Sequence, residues 1–218
     1  YIFKTSPGIS VLAFFKPELF APSLALLERY ARGFGVWALF AFASVALGSL
    51  IARPSDEQSN LGRLVISAGL GLAVWSLAIL ILGAFGLYRM PIFYGLAALW
   101  ALLPVAAWRL GLGSLLSGAA RELGEGWRRA PPWALIPIVI TFALAFIMAF
   151  VPEIFYDSMV YHLAVPRWYF FEGGIKYSHI MHSNFPLMIQ ILYAPLLALG
   201  GEPAAKLVHW FFGILLFL

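Results

Sequence analysis

The sequence predicts an all-α integral membrane protein, a polytopic helical bundle with about six transmembrane helices and interfacial helices in its loops. Three observations predict it. The chain is 62% hydrophobic and only 11% charged, against about 25% charged residues in an ordinary soluble domain. Its apolar residues come in continuous blocks near the length, about 20 residues, that a helix needs to cross ~30 Å of hydrocarbon. Those blocks carry no period-two alternation, which argues for helices over strands.

The elements follow in order. The apolar stretch 9–27 is interrupted by Lys16, Pro17, Glu18 and Pro22, so residues 1–33 are predicted as an interfacial or re-entrant segment rather than a span. Four spans are predicted within 34–151, at 34–52, 64–88, 91–108 and 133–151, none holding Asp, Glu, Lys, Arg or His. Gly69, Gly71, Pro104 and Pro137 inside them are residues that membrane helices tolerate better than soluble ones. The connector 53–63 is a polar turn of mixed charge, and Arg89-Met90-Pro91 is a tight reversal that makes the second and third spans a hairpin. Residues 109–132 carry Arg109, Arg121, Arg128 and Arg129 beside Trp108, Trp127 and Trp133, the pattern of an amphipathic interfacial helix. A polar loop fills 152–184, and two further spans are expected in 185–218, at 185–201 and from 204 onward. The chain starts without Met and stops inside an apolar run, so both ends are expected to be incomplete.

Orientation follows the Lys/Arg bias between alternate loops. With the 152–184 loop outside, Arg53, Arg63, Arg109, Arg121, Arg128, Arg129 and Lys206 fall inside, against Arg89, Arg167 and Lys176 outside. That count leaves out the basic residues of the N-terminal segment, and it makes the loop periplasmic.

Composition also excludes functions. The formal net charge is +4, but the basic residues sit at the ends of apolar runs, where they anchor to headgroups, so no nucleic-acid partner is expected. The absence of cysteine rules out disulfides, thiolate catalysis and Cys-based zinc sites. The pairs Gly69/Gly71 and Gly111/Gly113 follow no strand and precede no acidic partner, so no dinucleotide site is implied. An ion or proton transporter would need ionisable residues within its spans, and the first five have none.

Chemistry is therefore expected in the loop, where Glu153, Asp157, His162, Arg167, Glu172, Lys176, His179 and His182 are packed between apolar runs. Glu153, Asp157 and Tyr161, spaced i, i+4, i+8, would share one face of a helix. At a membrane exit, partial desolvation makes a carboxylate a better proton acceptor, which suits Asp157 to general-base work. The plainer alternative makes Asp157 the cap of a short helix, 158–165, ended by Pro166. Arg167 and Lys176 suit a phosphate or pyrophosphate clamp, or ordinary headgroup anchoring. His162, His179 and His182 with Asp157 or Glu153 have ligand types for a divalent metal, but H-x-x-H in a loop does not specify one. No cofactor is expected. Gly173-Gly174 would end a helix through a left-handed residue, Asn184 reads as the turn into the fifth span, and His209 as interfacial or packed against a neighbouring helix.

The string from Tyr156 to Pro166 (YDSMVYHLAVP), the later Gly-Gly-Ile, Ser183-Asn184-Phe185-Pro186 and Ala205-Lys206-Leu207-Val208-His209 resemble one bacterial group. These are the polytopic, C-type glycosyltransferases of the dolichyl-phosphate-mannose–protein mannosyltransferase (family 39-like) superfamily, with the likeness confined to about residues 150–213. The resemblance implies a polyprenyl-phosphate-linked sugar as donor and an acidic residue of the outer loop, here Asp157, as general base. Glu153 is the second nearby acid. Tyr161, His162, Arg167, Lys176, His182 and Asn184 become substrate-binding candidates, and the bacterial inner membrane becomes the expected location. The alternative is a non-catalytic accessory subunit packed against other membrane subunits, its loop a docking surface.

Overall fold

The computed structural model describes residues 24–52, 58–177 and 188–218, and within them the chain is helical, with no strand. The helices are α1 (Leu24–Ile51), α2 (Asn60–Ala84), α3 (Met90–Ala107), α4 (Gly113–Arg129), α5 (Pro132–Met148), α6 (Ala164–Phe171), α7 (Met188–Gly200) and α8 (Glu202–Phe217). A π-turn, Trp108–Leu112, joins α3 to α4, and a second, Ser158–His162, precedes α6. Three helical stretches are long and apolar enough to cross a membrane: α1, α2 and the continuous run Met90–Arg129. This is an integral membrane protein.

The predicted count of six spans is not supported. The run from 133 forms a helix of 17 residues, about 26 Å at 1.5 Å per residue and short of a ~30 Å core. The runs from 185 and 204 are helical over Met188–Gly200 and Glu202–Phe217 among the described residues. The first span also begins earlier than predicted, because α1 takes in residues 24–33. Glu28, Arg29 and Arg32 lie on its exposed face, where a helix can continue out of the hydrocarbon. Residues 1–23 lie outside the described residues.

Helices α1 and α2 form the tightest pair, and small residues allow it. Ser44 and Gly48 on α1 meet Ser67 and Gly71 on α2: a Cβ on Gly48 would lie 1.7 Å from the Ser67 carbonyl oxygen, and one on Gly71 1.8 Å from that of Ser44. Two small-xxx-small patterns thus bring the backbones together, the usual route to association where lipid removes any hydrophobic drive between helices. Above this crossing the core is aromatic, with Trp100 between Phe40 and Trp75, ring centroids 5.1 and 5.9 Å away.

The α3–α4 run bends at Leu110 and Gly111, where Gly111 takes φ +105°, a value reserved for glycine. Past the bend, α4 buries Leu115, Gly118 and Ala119 and exposes Arg121, Trp127, Arg128 and Arg129. Its Glu122 accepts hydrogen bonds from the Asn60 backbone N–H (2.9 Å), the Asn60 side-chain amide (2.8 Å) and the Leu61 N–H (2.9 Å). A carboxylate from α4 therefore caps the N-terminus of α2, whose first N–H groups have no intrahelical partner. Glu122→Gln is expected to speed amide hydrogen exchange at Asn60 and Leu61 and to leave the α2–α3 turn unchanged.

At the other end of α2 the polar loop docks. The Tyr88 N–H donates to the Gly173 carbonyl and the Ile175 N–H to that of Gly83, both at 2.9 Å. Gly173, φ +76°, ends α6 in the left-handed conformation that the Gly-Gly pair predicts. Arg89 and the loop thus share one side of the protein, opposite Asn60 and Glu122. Lys206 departs from its predicted inner position: its ammonium sits on the Val151 carbonyl, 2.8 Å away, on the loop side. Met188 of α7 is bonded to Ser76, well inside α2, and Gly200, Pro203 and Ala204 pack on Gly33 in the first part of α1, so the α7–α8 turn lies on the loop side. Lys206, in the first turns of α8, is therefore on that side too.

Candidate functional site

The loop forms the mouth of a cavity of about 620 Å³ between α5 and α8. Helix periodicity builds its walls. Lys206, His209, Trp210 and Gly213 line it at i, i+3, i+4 and i+7 of α8, and Phe142, Ala145 and Ala149 line it from α5 and its C-terminal end. Val151 to Phe155, Ser158 and His162 close the loop end, and Tyr193 reaches in from α7. Ionisable side chains thus gather at the loop end of an otherwise apolar cleft, the mix typical of small-molecule sites. The Trp210 indole N–H, donating to the Phe142 carbonyl at 2.9 Å, ties the two walls together.

Glu153 does not share a helical face with Asp157, because residues 152–155 are not helical. Its carboxylate instead folds back to accept from the Phe155 and Ile154 N–H groups at 3.0 and 3.1 Å. It also pairs with the Lys206 ammonium at 3.4 Å. Glu202 completes the cluster, 3.8 Å from the same ammonium and accepting the Glu153 N–H at 2.8 Å. Burial pushes the Glu153 carboxyl up, but the N–H groups of Phe155 and Ile154 and the Lys206 ammonium outweigh it, and the net shift is below the ordinary carboxylate value. The sign follows: the loop closure is fully held above the ordinary carboxylate range and is lost as pH falls through the lowered value. Amide exchange at Glu153 to Phe155 is expected to stay slow through mildly acidic pH, and Lys206→Met to move the opening upward in pH.

Asp157 is exposed and makes no side-chain capping bond. Its carboxylate accepts a hydrogen bond from the Tyr161 hydroxyl one turn on, so the i, i+4 part of the predicted spacing is realised. The Tyr161 phenol is pushed up, by desolvation first and then by that carboxylate. Nor does Pro166 end the helix that follows. It lies in the first turn of α6, where its missing N–H costs nothing. The neighbour of Asp157, Ser158, lines the cavity, while Asp157 itself is exposed and is not part of the lining.

Of the other predicted residues, His162 lines the cavity, half-buried, with its Nδ1 2.9 Å from the Gln190 side-chain nitrogen. Arg167 and Lys176 are exposed and away from the cavity lining. His179, His182 and Asn184 lie outside the described residues. Among the described residues no three His, Asp or Glu side chains converge where a metal could be held. Sequence reasoning missed Lys206, Glu202, Tyr193 and Gln190 as parts of the site, and placed His209 only as interfacial or packed against a helix. The signal available was the i, i+3, i+4, i+7 stripe on α8 and the i, i+4 Glu202/Lys206 pair. His209 Nε2 is hydrogen-bonded to the Tyr193 hydroxyl.

No protein-family model, curated protein or solved structure matches this chain.

Proposed function

We propose that this chain acts in sugar transfer from a polyprenyl-phosphate carrier to an acceptor at the outer face of a bacterial inner membrane. The observation that supports it best is the cavity itself: largely apolar along α5 and α8, with its charged side chains, Glu153 and Lys206, where the loop closes it. An amphiphile with a long chain and a hydroxyl-rich head has the matching distribution. The carrier would enter from the hydrocarbon and the acceptor from water, to which Asp157 is exposed beside Ser158 of the cavity wall.

The reaction is an inverting displacement. Asp157 takes the proton of an acceptor hydroxyl, the new C–O bond forms at the anomeric carbon, and the bond to the phosphate oxygen breaks. Polyprenyl phosphate leaves with the electron pair. Because that leaving group is already good, positioning and one base suffice. Arg167 and Lys176, exposed on the same side, draw an anionic carrier to that face. Glu153 serves as the anchor of the mouth through Lys206 rather than as a second base.

A second reading, an accessory subunit, has one observation in its favour. Helix α5 buries none of its residues and exposes Ile136, Val139, Ile140, Leu144 and Ile147, a face that another membrane subunit or lipid would cover. The test is transfer of a radiolabelled sugar from a polyprenyl-phosphate donor by purified protein in liposomes, with Asp157→Asn alongside. Transfer by the wild type and not by the variant supports the enzyme. No transfer by either sinks it in favour of the subunit.

A further inference from the structure

Every charged group on the cavity wall is already engaged. Lys206 holds Glu153, Glu202 and the Val151 carbonyl, and the Glu153 carboxylate is filled by that ammonium and two backbone N–H groups. The two imidazoles are placed differently. His162 comes from the π-turn and His209 from α8, and both face the same space. Each has one ring nitrogen tied to a neutral partner: His162 Nδ1 to the Gln190 amide nitrogen, His209 Nε2 to the Tyr193 hydroxyl.

Those partners fix which nitrogen of each ring is left for a ligand. The Gln190 amide nitrogen can only donate, so His162 Nδ1 accepts and its proton sits on Nε2. The Tyr193 hydroxyl can donate to His209 Nε2 or accept from it, and in both arrangements Nδ1 is the nitrogen left over, a donor when the ring carries its proton there. Two imidazoles from different elements, each with one nitrogen outside its protein hydrogen bond, therefore line the cavity. A tetrahedral oxyanion on a hydrocarbon chain is the ligand class that uses both halves of such a site.

We propose that His162 and His209 are the donors that hold the phosphate of a long-chain alcohol phosphate in this cavity, with Gln190 and Tyr193 as positioning residues. The inference rests on the carrier-dependent reading above and moves the phosphate contact from Arg167 and Lys176 to the imidazoles. The alkyl or isoprenoid chain runs along α5 and α8, past Phe142, Trp210 and Gly213.

The test is direct binding. Purified protein in phosphatidylcholine nanodiscs is titrated with polyprenyl phosphate, with the parent polyprenol and with inorganic phosphate, followed by phosphorus NMR or by radioligand retention. Saturable binding of polyprenyl phosphate is expected, with polyprenol far weaker. His162→Gln and His209→Gln should each weaken it about tenfold, the scale of one hydrogen bond to a charged group. Gln190→Leu, which keeps both imidazoles and releases one, should weaken it severalfold, and circular dichroism checks that each variant is folded. Absence of saturable binding, equal binding of polyprenol, or unchanged binding in both histidine variants would overturn the assignment. Inorganic phosphate bound as tightly as polyprenyl phosphate, and lost in the same variants, would keep the imidazoles as an anion site but make the ligand free phosphate. Sugar transfer distinguishes the two proposals: binding without transfer sinks only the enzymatic reading, whereas transfer retained by both histidine variants sinks only this one.

Discussion

Gly71→Val is expected to lower the thermal midpoint in detergent by about 10 °C, while Gly69→Ala two residues earlier leaves it unchanged or slightly raised. A Cβ at position 71 would stand 1.8 Å from the Ser44 carbonyl oxygen, and the obstacle is backbone, which no rotamer change can clear. Relief requires α1 and α2 to separate, which breaks the closest packing in the bundle. Overpacking ordinarily costs about 1–3 kcal/mol, and a backbone obstacle belongs at the top of that range. In a domain of this size that is about 10 °C. At Gly69 a Cβ meets nothing within 4 Å. Alanine there contributes only its better helix propensity, up to about 1 kcal/mol. Equal midpoints for the two variants would mean that the α1–α2 crossing is looser than described.

Asp157→Asn is expected to reduce sugar transfer by roughly 10²- to 10⁴-fold, the range of general-base catalysis, with no change in the fold. Asparagine keeps an oxygen to accept the Tyr161 hydroxyl, so the turn is preserved while the proton acceptor is lost. Tyr161→Phe makes the comparison informative. It removes only the hydrogen bond, worth about 1 kcal/mol or roughly fivefold. Initial rates with a polyprenyl-phosphate-sugar donor measure both. A Tyr161→Phe loss as deep as that of Asp157→Asn would place the proton chemistry on the phenol and remove Asp157 as the base.

Local chemistry was legible and tertiary chemistry was not. Arg89-Met90-Pro91 named its own turn, since Pro91 falls in the first turn of α3. Gly173 supplied the left-handed end of α6. The span count failed because composition reports apolarity and not length: the block around α5 is greasy enough but yields 17 helical residues. The start of α1 failed because Glu28, Arg29 and Arg32 look like a boundary in a string, yet on a helix they occupy a face. In the site, the link from Asp157 to Tyr161 was readable because it lies within one turn. The cluster of Glu153, Glu202 and Lys206 was not, because it exists only once α8 has packed beside the loop. The Glu122 cap on α2 is hidden for the same reason.

Helix α5 carries a mechanical consequence. One wall of the cleft, α8, buries Pro203, Ala204, Ala205, Leu207, Val208 and Phe211 against its neighbours. The other wall buries none of its residues, and it is held by the Trp210–Phe142 hydrogen bond and by Phe142 and Phe146 against Phe217, Trp210 and Phe34. One jaw of the cleft is therefore keyed into the bundle, while the other is seated on it through a single hydrogen bond and a row of aromatic rings.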